Sequence, residues 1–262
     1  MSIIFYLVLF LMILRSFVAF SLFKRSRETG NLGLKRLSQA FMLFSLAFIG
    51  IIMDDAITLP GNISMSFLFF DFMIIGTFFF ILFIEGTFYK GRKSVYKTVM
   101  IIYVSGGITC GILTTISGLI FGYDLPIRVF MYQIYGVIFG ILVVLIVSWL
   151  LIAAVEAYKQ IKEDSNVEPW IKMRYKITIV YAINTIIIGA LFVINPFDTI
   201  TVIGGVELTL LLINLLEFIQ IFGEFIAWYM PGRLKRYFNR KYIVEETEEL
   251  SEEEIIKQLR GE

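Results

Sequence analysis

The chain has 262 residues, 58% hydrophobic and only 17% charged, with a net charge of +1; its mean hydropathy is +0.82. A soluble domain is nearer a quarter charged, so this composition belongs to a multi-span membrane protein rather than a soluble or nucleic-acid-binding one. With no histidine and one cysteine, Cys110, it can form no internal disulfide and no His-dependent triad, and it loses most zinc and haem sites; it reads as a non-enzyme without cofactor or metal.

The first apolar run, SIIFYLVLFLMILRSFVAFSLF, has no basic residue before it. It is too long for a signal-peptide core and reads as a retained span. A crossing helix needs roughly 20 mostly apolar residues. Seven segments qualify: 3–23, 37–59, 63–88, 99–121, 129–157, 177–200 and 206–230. They predict an all-α, seven-helix transmembrane domain over residues 1–230, with the lipid bilayer as its first partner and the cell membrane as its location. A basic juxtamembrane segment, 231–242, and an acidic tail, 243–262, complete the chain.

Basic residues alternate between the connectors. KRSRETGNLGLKR, YKGRKSVYK, the region from Lys159 to Lys176 and the segment after span seven hold nineteen Lys and Arg, against Arg128 alone on the other side. The positive-inside rule then sets the N-terminus outside and the C-terminus in the cytoplasm. Asp54, Asp55, Asp124, Asp198 and Glu207 gather on the outer side, as hydrated helix ends or as an acidic mouth for cations. Glu85 and Glu156 lie near the inner face and are expected to pair with basic loops.

Arg15 sits in the middle of span one, where a charge is expensive and implies a buried partner or a role. At ~1.5 Å per residue it lies ~18 Å from the outer start, Glu217 ~16 Å and Asp71 ~12 Å. The expected partner is therefore Glu217, then Asp71. On span seven Asn214, Glu217, Gln220 and Glu224 share one arc with Glu207, and Asn184 on span six can face the same interior. Arg15, Asp71, Asn184, Asn214, Glu217, Gln220 and Glu224 are the candidate ligand or ion-pathway residues; a structural network fixing helix order is the alternative.

Several features read as packing. Gly107 and Gly111 on span four, and Gly136 and Gly140 on span five, are four residues apart. Such pairs let helices approach, within the bundle or across a homodimer seam. FLFFDF and FFFILF on span three can pack or line an apolar pocket, and Cys110 reads as a small packing residue. Asn195-Pro196 is expected to bend or end span six. Trp170, Trp228 and Tyr229 read as interface anchors.

PGRLKRYFNRKY after span seven suits an anionic lipid surface. In the tail, Ser251 and Glu254 can form a capping box for a short helix whose apolar face is Ile255, Ile256 and Leu259, a candidate site for a cytoplasmic signalling protein.

The span count, the outside N-terminus, KRSRETGNLGLKR between spans one and two, and MPGRLKRYFNRKY after span seven resemble the seven-helix membrane sensor regions at the front of prokaryotic histidine kinases. The resemblance covers residues 1–240. It implies a bundle that senses an external or bilayer ligand and reports through cytoplasmic loops and tail. This chain holds no phosphoacceptor histidine and no kinase module, so its output is expected to pass through a separate protein. An ion or small-solute transporter or channel, and a membrane assembly protein, are the alternatives.

Overall fold

The computed structural model describes residues 3–56, 65, 67–89, 93–121, 125–194, 202–203 and 206–240. Among these, seven helices are long and apolar enough to cross a membrane: α1 (Ile3–Thr29), α2 (Leu32–Ala56), α3 (Phe67–Phe88), α4 (Lys93–Ile116), α5 (Leu125–Ile161), α6 (Pro169–Ile194) and α7 (Leu208–Tyr229). A single π turn, Ser117–Phe121, extends α4, and a short helix, α8 (Gly232–Asn239), follows α7. Among the described residues, the one departure from an all-helical fold is a pair of two-residue antiparallel strands, Val202–Ile203 and Val206–Glu207, with Val202 opposite Glu207. The expected start of span seven at residue 206 therefore moves to Leu208.

Local chemistry explains the helix ends. α1 continues past its apolar window through Lys24–Thr29 and stops at Gly30, which takes the left-handed φ of 67° that glycine tolerates best. The Asn31 side chain then accepts a hydrogen bond from the Leu34 amide at 3.1 Å and caps α2. Pro169 opens α6 eight residues before the apolar window, at the first helical position where its missing N–H costs nothing. The same helix is described as far as Ile194, directly before Asn195-Pro196; the rest of the expected span, to residue 200, lies outside the described residues. Several of these helices thus continue beyond the apolar windows that the sequence marks.

Each long helix packs on the next in sequence, α7 closes onto α1, and α3 also touches α5. The main core runs through this ring. Phe70 meets Tyr135, Phe139 and Phe192 edge-on, with ring centroids 4.9, 5.3 and 6.5 Å away, so the aromatic run of α3 packs against α5 and α6. Cys110 is buried beside the Tyr135 carbonyl. Glycines bring α5 and α6 together: a Cβ at Gly140 would fall 2.6 Å from the Gly189 carbonyl. Gly107 faces Ile74, Gly111 faces Asp71, and Gly136 is buried.

A second, smaller core lies at the far end of α7. It joins Ala157, Ile161, Val167, Trp170, Ile171, Tyr175 and Met230, with Leu234 and Phe238 of α8 packed against it.

Candidate functional site

Arg15 is 1% exposed. Its Nη2 lies 3.1 Å from Glu217 Oε2 and 3.6 Å from Glu224 Oε2. The two carboxylates stand seven residues apart on α7, which places them two turns apart on one face and lets one guanidinium serve both. Gln220, between them on that face, donates from Nε2 to Glu224 Oε1 at 2.8 Å. Neither Arg15 contact has hydrogen-bond alignment, and Arg15 Nε and Nη1 and Gln220 Oε1 have no hydrogen-bond partner among the described residues. Attraction in this site is therefore that of close charges in a low dielectric.

Aromatic side chains enclose these charges. From α2, Phe44 and Phe48 lie with ring centroids 5.4 and 6.0 Å from the Arg15 Cζ, a cation–π contact. On the outer side of the α1–α7 seam, Phe10 meets Phe218 and Phe17 meets Phe225, at 6.1 and 5.9 Å. Both partners in each pair repeat at seven residues, as expected for two helices running side by side in the same direction. The seam thus has a charged inner row and an aromatic outer row, and the outer row separates the ions from whatever surrounds the bundle.

Polar side chains continue along α7. The Trp228 Nε1–H donates to Tyr181 Oη at 2.9 Å, and the Arg174 guanidinium lies 4.4 Å from the Trp228 ring centroid. Phe83 meets the same ring edge-on at 4.7 Å. Arg25 Nη1 reaches the last carbonyls of α7, at Trp228 and Tyr229, at 3.1 and 3.3 Å, where a cation also complements the helix dipole. The α1–α7 contact is therefore polar at mid-helix and again at the end of α7.

The predicted residues divide into three groups. Arg15, Glu217, Gln220 and Glu224 come together. Asn184 and Asn214 are buried near them, and Asn184 Nδ2 donates to the Leu216 carbonyl at 2.8 Å, tying α6 to α7. Asp71 does not pair with Arg15. It lies on α3, where its oxygens accept from the hydroxyls of Thr114 and Thr115 on α4 at 3.1 and 3.3 Å. Equal depth was an incomplete criterion, because α3 is not packed beside α1 in the ring.

Glu85 finds Arg36 at 3.9 Å, and Arg36 also donates to the Leu82 carbonyl. Trp170 and Trp228 are buried, 5% and 1% exposed, and so are interior packing residues rather than interface anchors. The side chains of Asp54, Asp55, Asp124, Asp198 and Glu207, and the tail residues Ile255, Ile256 and Leu259, lie outside the described residues.

Arg174 falls in the basic Lys159–Lys176 region that the sequence marks as a connector, whereas it lies on α6 with its side chain buried, 7% exposed. A signal was present: Arg174, Thr178, Tyr181 and Thr185 recur at helical spacing and form a polar stripe on α6, all of them buried. The stripe depends on α6 beginning at Pro169, eight residues before the apolar window. Comparison of the chain with protein-family models, curated proteins and solved structures gives no match.

Proposed function

We propose that this chain is a receptor-like membrane protein, with its N-terminus outside, that senses an external or bilayer ligand and signals through its cytoplasmic loops and tail without an enzymatic domain. The observation that carries the reading is the polar line along α7. It starts at Arg15–Glu217–Glu224, passes Trp228 and Tyr181, and ends at the α7 carbonyls held by Arg25. A ligand that changes the α1–α7 contact would act on the helix that leads directly to α8 and the basic end, and any such signal requires different affinities for two arrangements. The layout shared with kinase sensor regions supports the same reading.

Two outcomes bear on it. In a Cys110→Ser background, cysteines placed in LPGN, residues 59–62, should be labelled from outside intact cells; labelling from the cytoplasm alone would reverse the orientation. Crosslinking and capture from cells should then recover a cytoplasmic partner whose yield falls when residues 243–262 are deleted and changes with Glu217→Gln. Capture indifferent to both alterations would remove the receptor reading.

A carrier is the second reading, favoured by one observation: two carboxylates share one guanidinium, leaving Gln220 Oε1 as a further buried acceptor. Proton or cation flux into proteoliposomes that is lost in Glu224→Gln would establish the carrier in place of the receptor.

A further inference from the structure

α8 is amphipathic, and its apolar side is already occupied. Leu234 and Phe238 pack on the second core. Lys235 Nζ lies 3.8 Å from the Trp170 ring centroid. Asn239 accepts from the Trp170 amide at 3.2 Å and donates to the Glu168 carboxylate. The helix is therefore held to the start of α6 by its inner face and cannot sink that face into lipid, as a free amphipathic helix would.

The opposite face carries Arg233, Arg236, Tyr237 and Arg240, all exposed. The three arginines stand at i, i+3 and i+7 and so form one row. Arg240 rests over the Tyr237 ring with its Cζ 4.8 Å from the centroid, which restricts its guanidinium.

The break before α8 fixes its level. α7 ends at Tyr229, Met230 turns with a φ of 37° just before Pro231, and α8 begins at Gly232. Glycine, without a Cβ, would accept this left-handed φ with less strain; here Met230 is buried, at 2% exposure, and its amide donates to the Ile226 carbonyl at 3.1 Å. Only Met230 and Pro231 thus separate α8 from the end of a helix apolar enough to cross a membrane. Arg25 bonds the same α7 end from α1. Exposed Lys24, Arg27 and Lys35, against Glu28, therefore stand at the corresponding ends of α1 and α2.

From this geometry we infer that the Arg233–Arg236–Arg240 row of α8 is a docking surface for the phosphate headgroups of anionic phospholipids. The inference rests on the membrane reading of the bundle. A guanidinium row matches phosphodiester oxygens in charge and in bidentate geometry, and a surface at the headgroup level meets them without any motion of the helix.

The test uses the full chain in nanodiscs of phosphatidylcholine mixed with phosphatidylglycerol, followed by native mass spectrometry of the lipids retained. The wild type should keep phosphatidylglycerol in preference to phosphatidylcholine. The preference should fall about fivefold for each arginine replaced, so R233Q/R236Q/R240Q should lose it altogether. The thermal midpoint of the triple variant should be unchanged, because Leu234, Lys235, Phe238 and Asn239 remain in place. A wild type without preference, or a triple variant that keeps it, would overturn the inference. So would a preference that arises only after deletion of 243–262, since the acidic tail would then be the occupant. An alkaline wash of native membranes separates the underlying reading: a chain that is washed off removes both, whereas one that stays but retains no anionic lipid removes this inference alone.

Discussion

The Arg15 cluster and the Asp71 cluster both place carboxylates among apolar helices, and they do so by different chemistry. Glu217 and Glu224 face a guanidinium across the α1–α7 seam. Asp71 faces two threonine hydroxyls across α3 and α4. The first arrangement binds two helices through charge, so losing one partner strands the others in a dry site. The second is a pair of hydrogen bonds to a half-buried acid, and losing it strands no opposite charge. The contrast teaches that a charged residue in a span does not by itself measure how much the bundle depends on it; its partner does.

The largest effect should come from Arg15→Ala, which leaves Glu217 and Glu224 buried without their cation. Breaking a buried pair of this kind costs about 3–5 kcal/mol. Unfolding of the detergent-solubilised protein should show that loss, and Arg15→Met combined with Glu217→Gln should recover part of it. A double variant equal to the sum of its singles would mean that the two residues are uncoupled.

Next comes Trp228→Phe, which removes the donor to Tyr181 while keeping an aromatic ring near Phe83. The expected loss is about 1–2 kcal/mol. Tyr181→Phe should cost a similar amount, and the pair together little more than either alone. Additive losses would show that the bond is not a unit of the α6–α7 contact.

Asp71→Asn should change stability by only about 1 kcal/mol, because the amide oxygen can still accept from a threonine hydroxyl. A loss as large as that of Arg15→Ala would break the comparison, since it would imply a charged partner for Asp71.

The smallest effect is expected at Lys162 and Glu163, 2.9 Å apart in the α5–α6 connection. The hydrogen bond and charge of Lys162 hold the Glu163 carboxyl below its ordinary range, and Glu163 in turn raises Lys162. The sign follows. Stability from Glu163 is present above its unfolded-state pKa and lost as pH falls through the lower folded value; that from Lys162 is lost only as pH rises through its raised one. Both groups are exposed, so water and salt screen the pair. Glu163→Gln should leave the thermal midpoint unchanged at neutral and at mildly acidic pH. A clear shift would show that even an exposed pair holds this connection.

Much of the Arg15 site was legible before any geometry. Glu217, Gln220 and Glu224 fall on one helical face, and Arg15 matches Glu217 in depth. Asp71 matched in depth as well, but depth along one axis does not report position around the ring. Arg174 was hidden for another reason. Its neighbourhood holds Glu168, Lys172 and Lys176, so an apolar window closes before reaching it, although hydrogen-bonded helix continues. An amphipathic ring near a helix end suits either an interface or an enclosed polar network, and only the tertiary partners decide: Tyr181 and Arg174 for Trp228, Lys235 and Asn239 for Trp170.

By itself the sequence determined the class of this protein. Length of apolar runs, the energetic demand that backbone groups be satisfied within each span, and the scarcity of charge leave little besides a seven-helix bundle. It also determined that Arg15 needs a carboxylate, because an unpaired buried cation is too costly. Tertiary structure decided which carboxylates: α7 closes on α1, and one guanidinium meets two acids two turns apart. It likewise decided that α8 turns its apolar face inward onto Trp170 and leaves three arginines outside. Such pairings depend on the order of helices around the ring and on how they pack side by side, which the spacing of residues along a single helix does not encode.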